Sequence, residues 1–361
     1  MSIHDTPPPP AQLTVERPLR EFTAEARKPL SIDWYRTPLP PGAMKQLHQR
    51  SDLLGALQTL GYLACLAVPG ALAIRAGLHG QWLWAAAGIF CYGMIGAFLI
   101  NGVHELGHNT VFKSAWLNVW FCRLLAFLGW INHELFEVSH VRHHRYTLHP
   151  PDDDENPLPI RFTVRDFIRG FLFNYGFLVY SIRKMVRLAR GRFEGTWENT
   201  LFPADRPALA KPAITWARVV VAGHLAILGV SVAFGWWIVP IVISAGPFFG
   251  NGLFLLCNNT QHIGLPSHNT DFRLCCRTLT LNPFIQFIYW HMNYHTEHHM
   301  YAAVPCYRLG ALHRIIRHDL PPTPHGLRAV WQQIAEVKRR EAADPDWVYM
   351  PPLPTPAGRK T

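Results

Sequence analysis

The sequence has 361 residues, of which 49% are hydrophobic and only 16% are charged, well below the roughly 25% of ordinary soluble domains. Its formal net charge is +10. The basic residues lie between long apolar runs, which favours contact with an anionic membrane surface over nucleic acid. We therefore expect a membrane protein with no nucleic-acid partner.

The first 50 residues are polar, contain the run Pro7 to Pro10, and include no apolar stretch that could serve as a signal peptide. We expect residues 1–50 to be a cytoplasmic tail that is partly disordered. Residues 51–320 are the expected membrane domain, and residues 321–361 the expected cytoplasmic C-terminal segment. The seven cysteines include no C-x-x-C pair, so neither a zinc ribbon nor a thioredoxin-like motif is indicated. Three of them lie within or at the ends of apolar runs, where free cysteine behaves as a small hydrophobic residue, and a reducing compartment fits.

Four apolar segments are long enough to cross a bilayer. Leu53 to Ile74 and Trp82 to Val103 each hold about 22 uncharged residues, which span a hydrocarbon core of ~30 Å at 1.5 Å per residue. A third uncharged stretch is too long for one helix, and Gly235 offers a turn near its middle. It divides into helices at about Ile214 to Phe234 and Trp236 to Cys257. The sequence therefore predicts an all-α integral membrane protein with four transmembrane helices in two hairpins.

The distribution of Lys and Arg predicts the orientation. These residues are abundant between His104 and Ala213 but absent from the turns at Gly77 to Gln81 and near Gly235. Because positive residues favour the cytoplasmic side, we expect both termini and the segment after the fourth helix to be cytoplasmic. Two interrupted apolar stretches, Ala115 to Phe136 and Phe167 to Leu188, are predicted to be helices on the membrane face. The first could instead dip partway into the bilayer.

Three clusters stand out among the 20 histidines. The first has the spacing H-x-x-x-H, and the second and third have the spacing H-x-x-H-H. On a helix, positions i, i+3 and i+4 share one side, so each cluster points its imidazoles in one direction. Neutral imidazole is a common ligand of iron, zinc and copper, and the predicted topology places all three clusters at the cytoplasmic side. We predict a shared metal site that includes His104, His108, His140, His143, His144, His295, His298 and His299.

Further polar residues lie near the three clusters. His262 lies just past the fourth predicted helix, and His291 lies one turn before the third cluster, where it is a candidate for supporting that cluster. Glu105 and Glu297 lie inside clusters, where a carboxylate either orients a ligand imidazole or is a solvated charge. The acidic run Asp152 to Glu155 is interpreted as a solvated loop, and the alternative is that it helps to position a polar head group or a redox partner. Structural roles are expected for His133, His149, His224, His268, His313 and His318.

The sequences HELGH, HVRHH and HTEHH, set between hydrophobic hairpins, resemble the three histidine boxes of the membrane fatty acid desaturase and hydroxylase superfamily. The resemblance covers about residues 53–318. It implies a cytoplasmic helical cap that holds two non-haem irons on the eight clustered histidines, with O2 as co-substrate. Acyl-CoA desaturases of this type also use N-x-x-x-H after the fourth helix, and Asn258 to His262 fits it. His262 is then a ninth ligand, and Asn258 either reaches an iron through water or simply caps its helix.

The resemblance implies oxidation of a fatty acyl or other lipid-like chain. Desaturation is the first expectation; oxidative decarboxylation of a free fatty acid to a terminal alkene, or hydroxylation, is the alternative, since the same ligands serve all three. The sequences around the three boxes resemble those of a bacterial subgroup near the rhizobitoxine-type desaturases and the alkene-forming membrane fatty acid decarboxylases. These sequences are HELGHNTVF, SHVRHHRYTLHP and NYHTEHHMYAAVPCYRL. A bacterial inner membrane is the expected location.

Electrons are expected from a separate protein. No Gly-rich nucleotide-binding signature follows a strand, so neither flavin nor nicotinamide is expected on this chain. A ferredoxin, rubredoxin or similar donor and its reductase would then be partners. An acidic donor or anionic lipid could bind the basic surface, and lipid is the preferred interpretation. This surface includes Arg183, Lys184, Arg187 and Arg190.

Two other classes of protein also gather histidines. A membrane zinc hydrolase needs three protein ligands and an open position on its metal, and nine aligned histidines exceed that number. A metal store or sensor does not need its ligands at one membrane depth beside hydrophobic helices. The sequence therefore favours the oxidase over the hydrolase and the store.

Overall fold

A computed structural model describes residues 30–344 and 346–354. Within those residues the chain is helical and β-structure is limited to isolated bridges, which confirms the predicted all-α class. Residues 1–29 of the predicted N-terminal tail and residues 355–361 of the predicted C-terminal segment lie outside this part of the chain. The helices are α1 Ala43–Leu47, α2 Asp52–Leu78, α3 Trp82–Gly96, α4 Leu99–Gly107, α5 Ala115–Leu128, α6 His133–Tyr146, α7 Val164–Phe171, α8 Tyr175–Ala189, α9 Gly195–Leu201, α10 Pro207–Ala233, α11 Ile238–Phe248, α12 Gly252–Asn258, α13 Phe272–Cys275, α14 Pro283–Ile288, α15 His295–Met300, α16 Leu309–Ile316 and α17 Gly326–Ala343.

The first predicted hairpin is confirmed. Ser51 caps α2 by accepting a hydrogen bond from the backbone N–H of Leu54, and Gly80 makes the turn into α3 with φ of 72°. After a short turn, α3 continues into α4. Both arms, Asp52–Leu78 and Trp82–Gly107, are long and apolar enough to cross a membrane.

The second hairpin differs from the prediction. Helix α10 is a third helix long and apolar enough to cross a membrane, and Gly235 makes the turn after it with φ of 69°. A continuous helix from Trp236 to Cys257 is wrong, because the chain leaves the helical conformation after Phe248 and resumes it at Gly252. Pro247 contributes to the break because it has no N–H to continue the hydrogen-bond ladder.

Backbone groups at this break bond to the connection between α7 and α8. The N–H of Gly250 donates to the carbonyl of Leu172 at 3.1 Å, and the N–H of Asn174 donates to the carbonyl of Phe248 at 2.8 Å. Irregular backbone at membrane depth requires such protein partners. A tertiary contact that hydropathy does not encode therefore interrupts the fourth apolar segment, and its crossing of the membrane stays a prediction.

Each of the two stretches predicted to be a surface helix forms two separate helices. The stretch Ala115 to Phe136 contains α5 and the start of α6, separated at Trp130, whose φ is 54°. The side chain of Asn132 caps α6. The stretch Phe167 to Leu188 contains the end of α7 and most of α8, which begins after the cap residue Asn174. Asn side chains compete with helical hydrogen bonds and favour helix starts, so they divide stretches that hydropathy joins.

The core lies directly beneath the histidine clusters. Tyr62, Phe98 and Trp290 are fully buried there. Helix α4 packs against Trp290 at Gly102, where an added Cβ would lie 2.7 Å from the indole and 2.5 Å from Leu125. Only glycine permits this approach, so the packing fixes the helix that carries the first cluster.

Candidate metal centre

Three helices and one turn carry the predicted histidines. His104 lies in the last turn of α4 and His108 is the residue that ends it. The second cluster lies on α6 and the third on α15, while His262 lies in the turns that follow α12. The structure brings all nine of these imidazoles together. Seven are buried, and His108 and His144 are half-buried.

The nine imidazoles form two groups, in each of which the potential ligand atoms lie within 4.8 Å of one another. Each H-x-x-H-H cluster gives its i and i+4 imidazoles to one group and its i+3 imidazole to the other. The clusters on α6 and α15 thus interlock. The five-histidine group is His104, His108, His140, His144 and His298, and the four-histidine group is His143, His262, His295 and His299.

The inner nitrogens of the five-histidine group converge on one point. His144 Nε2 lies 2.9 Å from His140 Nε2 and 3.1 Å from His298 Nε2. The buried Nε2 atoms of His104 and His108 have no hydrogen-bond partner in the described part of the chain. All five rings therefore direct an Nε2 atom towards a shared space.

The four-histidine group repeats this arrangement. His295 Nε2 lies 2.9 Å from His262 Nε2 and 3.1 Å from His299 Nε2. The fourth ring, that of His143, lies with its centroid 5.2 Å from that of His262 and 5.0 Å from that of His299. Two neighbouring sets of inward nitrogens result.

Carboxylates hold the outer nitrogens of several rings. Glu105 Oε1 lies 3.0 Å from His104 Nδ1 and 3.5 Å from His298 Nδ1, so one buried carboxylate faces two rings of the five-histidine group. Glu155 Oε1 lies 2.8 Å from His140 Nδ1. A carboxylate at Nδ1 selects the tautomer that leaves the Nε2 lone pair directed inwards.

Asp153 holds the four-histidine group in the same way, because its Oδ2 lies 2.8 Å from His143 Nδ1. The interpretation of residues 152–155 as a solvated loop is therefore wrong for Asp153, which is 2% exposed, and for Glu155. The loop folds back on α6 because Asp153 also accepts the backbone N–H groups of Leu148 and Glu155. The signal in the sequence was an acidic run that begins eight residues after the second histidine box.

Neutral oxygen atoms hold two further rings. His262 Nδ1 lies 2.8 Å from the carbonyl oxygen of Cys275, and His299 Nδ1 lies 3.2 Å from the hydroxyl of Thr147. Sequence reasoning missed both partners. A backbone carbonyl has no side-chain signature, so only the fold reveals that of Cys275.

Burial keeps the imidazoles neutral. It lowers the pKa of His108 and of His262 to about 3. Burial, together with the neighbouring imidazoles, lowers the pKa of His144 and of His299 well below the ordinary value. At pH 7 these rings therefore present lone pairs, the form in which imidazole binds metal.

The pair of His143 and Asp153 differs from the other rings. Burial opposes charge on both groups, but their hydrogen bond and mutual attraction outweigh it. The pKa of His143 is raised in consequence, and the pKa of Asp153 is lowered to about 2. The carboxylate is therefore ionised at neutral pH and able to hold the ring through Nδ1–H.

The donor set fits two transition-metal ions. Lone pairs that face one another at about 3 Å repel, and a cation between them removes that repulsion. Imidazole nitrogens suit iron, zinc and copper, whereas magnesium and calcium prefer oxygen. Each histidine group could hold one such ion.

Two of the predicted supporting residues have other partners. Glu297 is buried inside the third cluster, but its carboxylate bonds to the hydroxyl of Thr278 and to Nδ1 of His313. His291 Nδ1 lies 3.1 Å from the side-chain nitrogen of Gln286. Neither histidine group includes His291.

Asn258 ends α12 and lines a cavity of about 360 Å³. Most of the cavity wall is apolar and comes from α4, the turn between α5 and α6, α8, α11 and α12. Ile100 and Trp130 contribute to it, and Ile100 lies one helical turn before His104. The cavity wall therefore includes a residue one helical turn from His104, although none of the nine histidines lines the cavity.

Comparisons with known proteins agree with this geometry. The model of a family described as fatty acid desaturase matches residues 77–331, a range that contains all nine histidines. The chain is also similar to the sphingolipid delta(4)-desaturase/C4-monooxygenase DES2 of Mus musculus, with 26% identity over 274 residues, which are 72% of this chain and 75% of that protein. The hydrolase and metal-store alternatives are excluded. The chain is an oxidoreductase that belongs to the fatty acid desaturase family.

Proposed function

We propose that this protein is an O2-dependent non-haem diiron enzyme that removes two hydrogens from adjacent carbons of a lipid alkyl chain and leaves a double bond. The observation that carries the proposal is the division of nine imidazoles, seven of them buried, into two neighbouring groups. Asn258 is proposed as a further ligand through water. The proposed iron ligands are His104, His108, His140, His144 and His298 for one ion and His143, His262, His295 and His299 for the other.

Iron bound in these two groups would supply the reductive activation of O2 that attack on an unactivated C–H bond requires. The chain itself supplies the positions of the rings. Glu105, Glu155 and Asp153 hold Nδ1 atoms, which fixes the direction of the Nε2 lone pairs of the rings that they contact. Imidazole is also a donor that O2 does not destroy as it would a thiolate.

The cavity beside Asn258 is the proposed site of the alkyl chain. Its largely apolar wall would bury methylene groups, and a few polar side chains such as Asn258 lie among them. Asn258 lies four residues before His262, so a chain in this cavity would end close to the histidines. A fatty acyl or sphingolipid-like chain fits this description.

Hydroxylation is the second candidate. The name of the mouse relative describes both a desaturase and a monooxygenase, which supports desaturation and hydroxylation as two possible reactions of a protein of this kind. Removal of a second hydrogen gives a double bond, whereas return of a hydroxyl group to the same carbon gives an alcohol. The position of the alkyl carbon relative to the histidines would decide between the two.

We further propose that the apolar segments make four membrane crossings, that the histidines lie on the cytoplasmic side of a bacterial inner membrane, and that a separate electron donor serves the enzyme. The charge distribution supports this orientation, since basic residues concentrate between the two hairpins.

The test is metal analysis followed by a product assay. The detergent-purified protein would be assayed for iron and zinc per chain, then supplied with ferredoxin, its reductase, O2 and a panel of C12 to C18 acyl substrates and sphingolipid bases. About two irons and a product lighter by two mass units are expected. A gain of sixteen mass units would select hydroxylation, and a volatile alkene one carbon shorter would select decarboxylation. Zinc without iron, and no O2-dependent product, would overturn the proposal.

A further inference from the structure

The segment that precedes α1 connects the surface to the four-histidine group through stacked aromatic rings. Trp34 is 8% exposed and its indole stacks on Phe272, with ring centroids 4.1 Å apart and an angle of 7° between the planes. The Phe272 ring lies 5.4 Å from the ring of His299. Trp34 is thus separated from a proposed iron ligand by one aromatic ring.

Long-range hydrogen bonds fix this segment in place. Trp34 Nε1 donates to the carbonyl of Arg145 at 2.9 Å, and Arg36 Nε donates to the carbonyl of Met300 at 2.8 Å. The backbone N–H of Tyr35 donates to the carbonyl of Thr270 at 2.9 Å. These bonds join the segment to α6, α15 and the loop before α13, so the position of the indole is determined.

The surface beside Trp34 carries charged residues of both signs, and two of its arginines form none of the described ion pairs. Arg36 and Arg145 are both exposed, and the backbone carbonyl of Arg145 accepts the hydrogen bond from the Trp34 indole. The guanidinium of Arg36 lies 5.8 Å from the centroid of Phe272. Asp33 is an exposed acidic side chain in the same segment, and Arg273, nearby, is paired with Asp271 and Asp319. Two arginines that form none of the described ion pairs therefore lie beside Trp34: Arg36 is two residues away in the chain, and the backbone carbonyl of Arg145 accepts the indole N–H.

We propose that the face formed by Trp34, Arg36 and Arg145, the donor face, docks a small acidic iron–sulfur protein, and that Trp34 and Phe272 carry its electrons to the four-histidine group. The inference rests on the proposed function. Desaturation combines –CH2–CH2–, one O2, two electrons and two protons to give –CH=CH– and two waters. Two reduced iron–sulfur carriers, each oxidised by one electron, supply the two electrons, and the protons come from solvent.

The basic surface of α8 fits this partner less well. Arg187 is already bonded to Glu198 at 2.6 Å. The same helix exposes Phe177 and Tyr180, whose apolar rings suit a lipid surface. The described aromatic contacts link these rings to Phe248, and not to a histidine of either group. We therefore propose that α8 contacts lipid and that the donor face binds the electron donor.

The first test measures docking without turnover. Binding of an acidic [2Fe–2S] ferredoxin to the detergent-purified iron-loaded protein would be compared for Arg36→Glu, Arg145→Glu and the matched control Arg190→Glu, at the exposed residue that follows α8. We expect the first two to weaken binding about tenfold each and to reduce its salt dependence, while the control binds as the unchanged protein does. Weakening by Arg190→Glu, with Arg36→Glu and Arg145→Glu unaffected, would overturn the proposal.

The second test measures electron transfer. In stopped flow without O2, oxidation of reduced ferredoxin by Trp34→Leu should slow at least tenfold, and Trp34→Phe, which keeps a ring, should slow less. Ferredoxin would be saturating in each case, so that weaker docking of the Trp34 variants does not lower the rate, and iron content and product formed with dithionite should not change. Equal rates of ferredoxin oxidation in all three proteins would overturn the electron route. Should Trp34→Leu lose iron, the decision passes to the two arginine variants, whose readout needs no turnover. Normal docking without any O2-dependent product would instead overturn the proposed function.

Discussion

His143 Nδ1 lies 2.8 Å from the buried Oδ2 of Asp153, and the same oxygen accepts the backbone N–H of Leu148 at 2.8 Å. One carboxylate therefore joins α6 to the loop that follows it and holds a ring of the four-histidine group. Burial raises the pKa of Asp153, but the hydrogen bond and the attraction to His143 lower it further, to about 2, so this carboxylate is charged at neutral pH.

Replacement of Asp153 by Asn should lower iron affinity about 10- to 100-fold, because an amide is a weaker acceptor for Nδ1–H and carries no charge. The measurement is iron retained per chain as a chelator is added. Asp154→Asn is the control, because the carboxylate that bonds to His143 is that of Asp153 and not that of Asp154. Equal retention of iron by the two variants would show that Asp153 does not support a metal.

Glu105→Gln should affect the other group. Its carboxylate faces both His104 and His298, so the amide should loosen the five-histidine group while leaving the four-histidine group intact. We expect about half of the iron to be lost on purification, with little change in thermal stability. Glu134→Gln, at the start of α6, is the matched control. Full iron content in Glu105→Gln would contradict the division into two groups.

Arg277 holds the turn that carries His262. Its Nη1 donates to the carbonyl of Thr260 at 2.6 Å and to that of Ile263 at 3.0 Å. Burial lowers the pKa of Arg277 to about 10, so the guanidinium stays charged at neutral pH. Arg277→Met should lower the free energy of unfolding by about 2 kcal/mol or more and release iron from the four-histidine group.

Thermal unfolding and iron analysis would check the Arg277 prediction together. Arg161→Met, at an exposed position, should change neither quantity. Loss of stability with full iron retention would mean that Arg277 stabilises the fold without positioning His262.

A larger side chain in the cavity wall should change which acyl chain lengths the enzyme accepts. Ile100→Trp places a large side chain in the cavity wall, so the longest acyl chains of a C12 to C18 panel should lose turnover first. Iron content should remain normal. Leu57→Trp adds the same bulk at a position of α2 that is 61% exposed, and should leave the preference unchanged. An unaltered chain-length profile for Ile100→Trp would place the substrate elsewhere.

The histidines that come together were all identifiable from the sequence. Spacing of i, i+3 and i+4 survives folding wherever the local chain is helical, as it is around His140 and His295. The division of each H-x-x-H-H cluster between two groups was not foreseen. It depends on how α6 and α15 face one another, and that is a property of tertiary packing.

Sequence reasoning failed where the outcome depended on distant backbone. The break after Phe248 is stabilised by the connection between α7 and α8, more than 70 residues earlier in the chain. Asp153 looked like a solvated charge because its run is acidic and follows prolines, yet it is buried by folding back on α6. The carbonyl of Cys275 at His262 has no side-chain pattern that could announce it.

An anomalous difference map at the iron absorption edge, from crystals of the purified protein, tests the central claim most directly. The account predicts two iron peaks, one among the Nε2 atoms of the five-histidine group and one at the four-histidine group. A single peak, or peaks that appear at the zinc edge and not at the iron edge, would contradict a diiron centre built from these nine histidines.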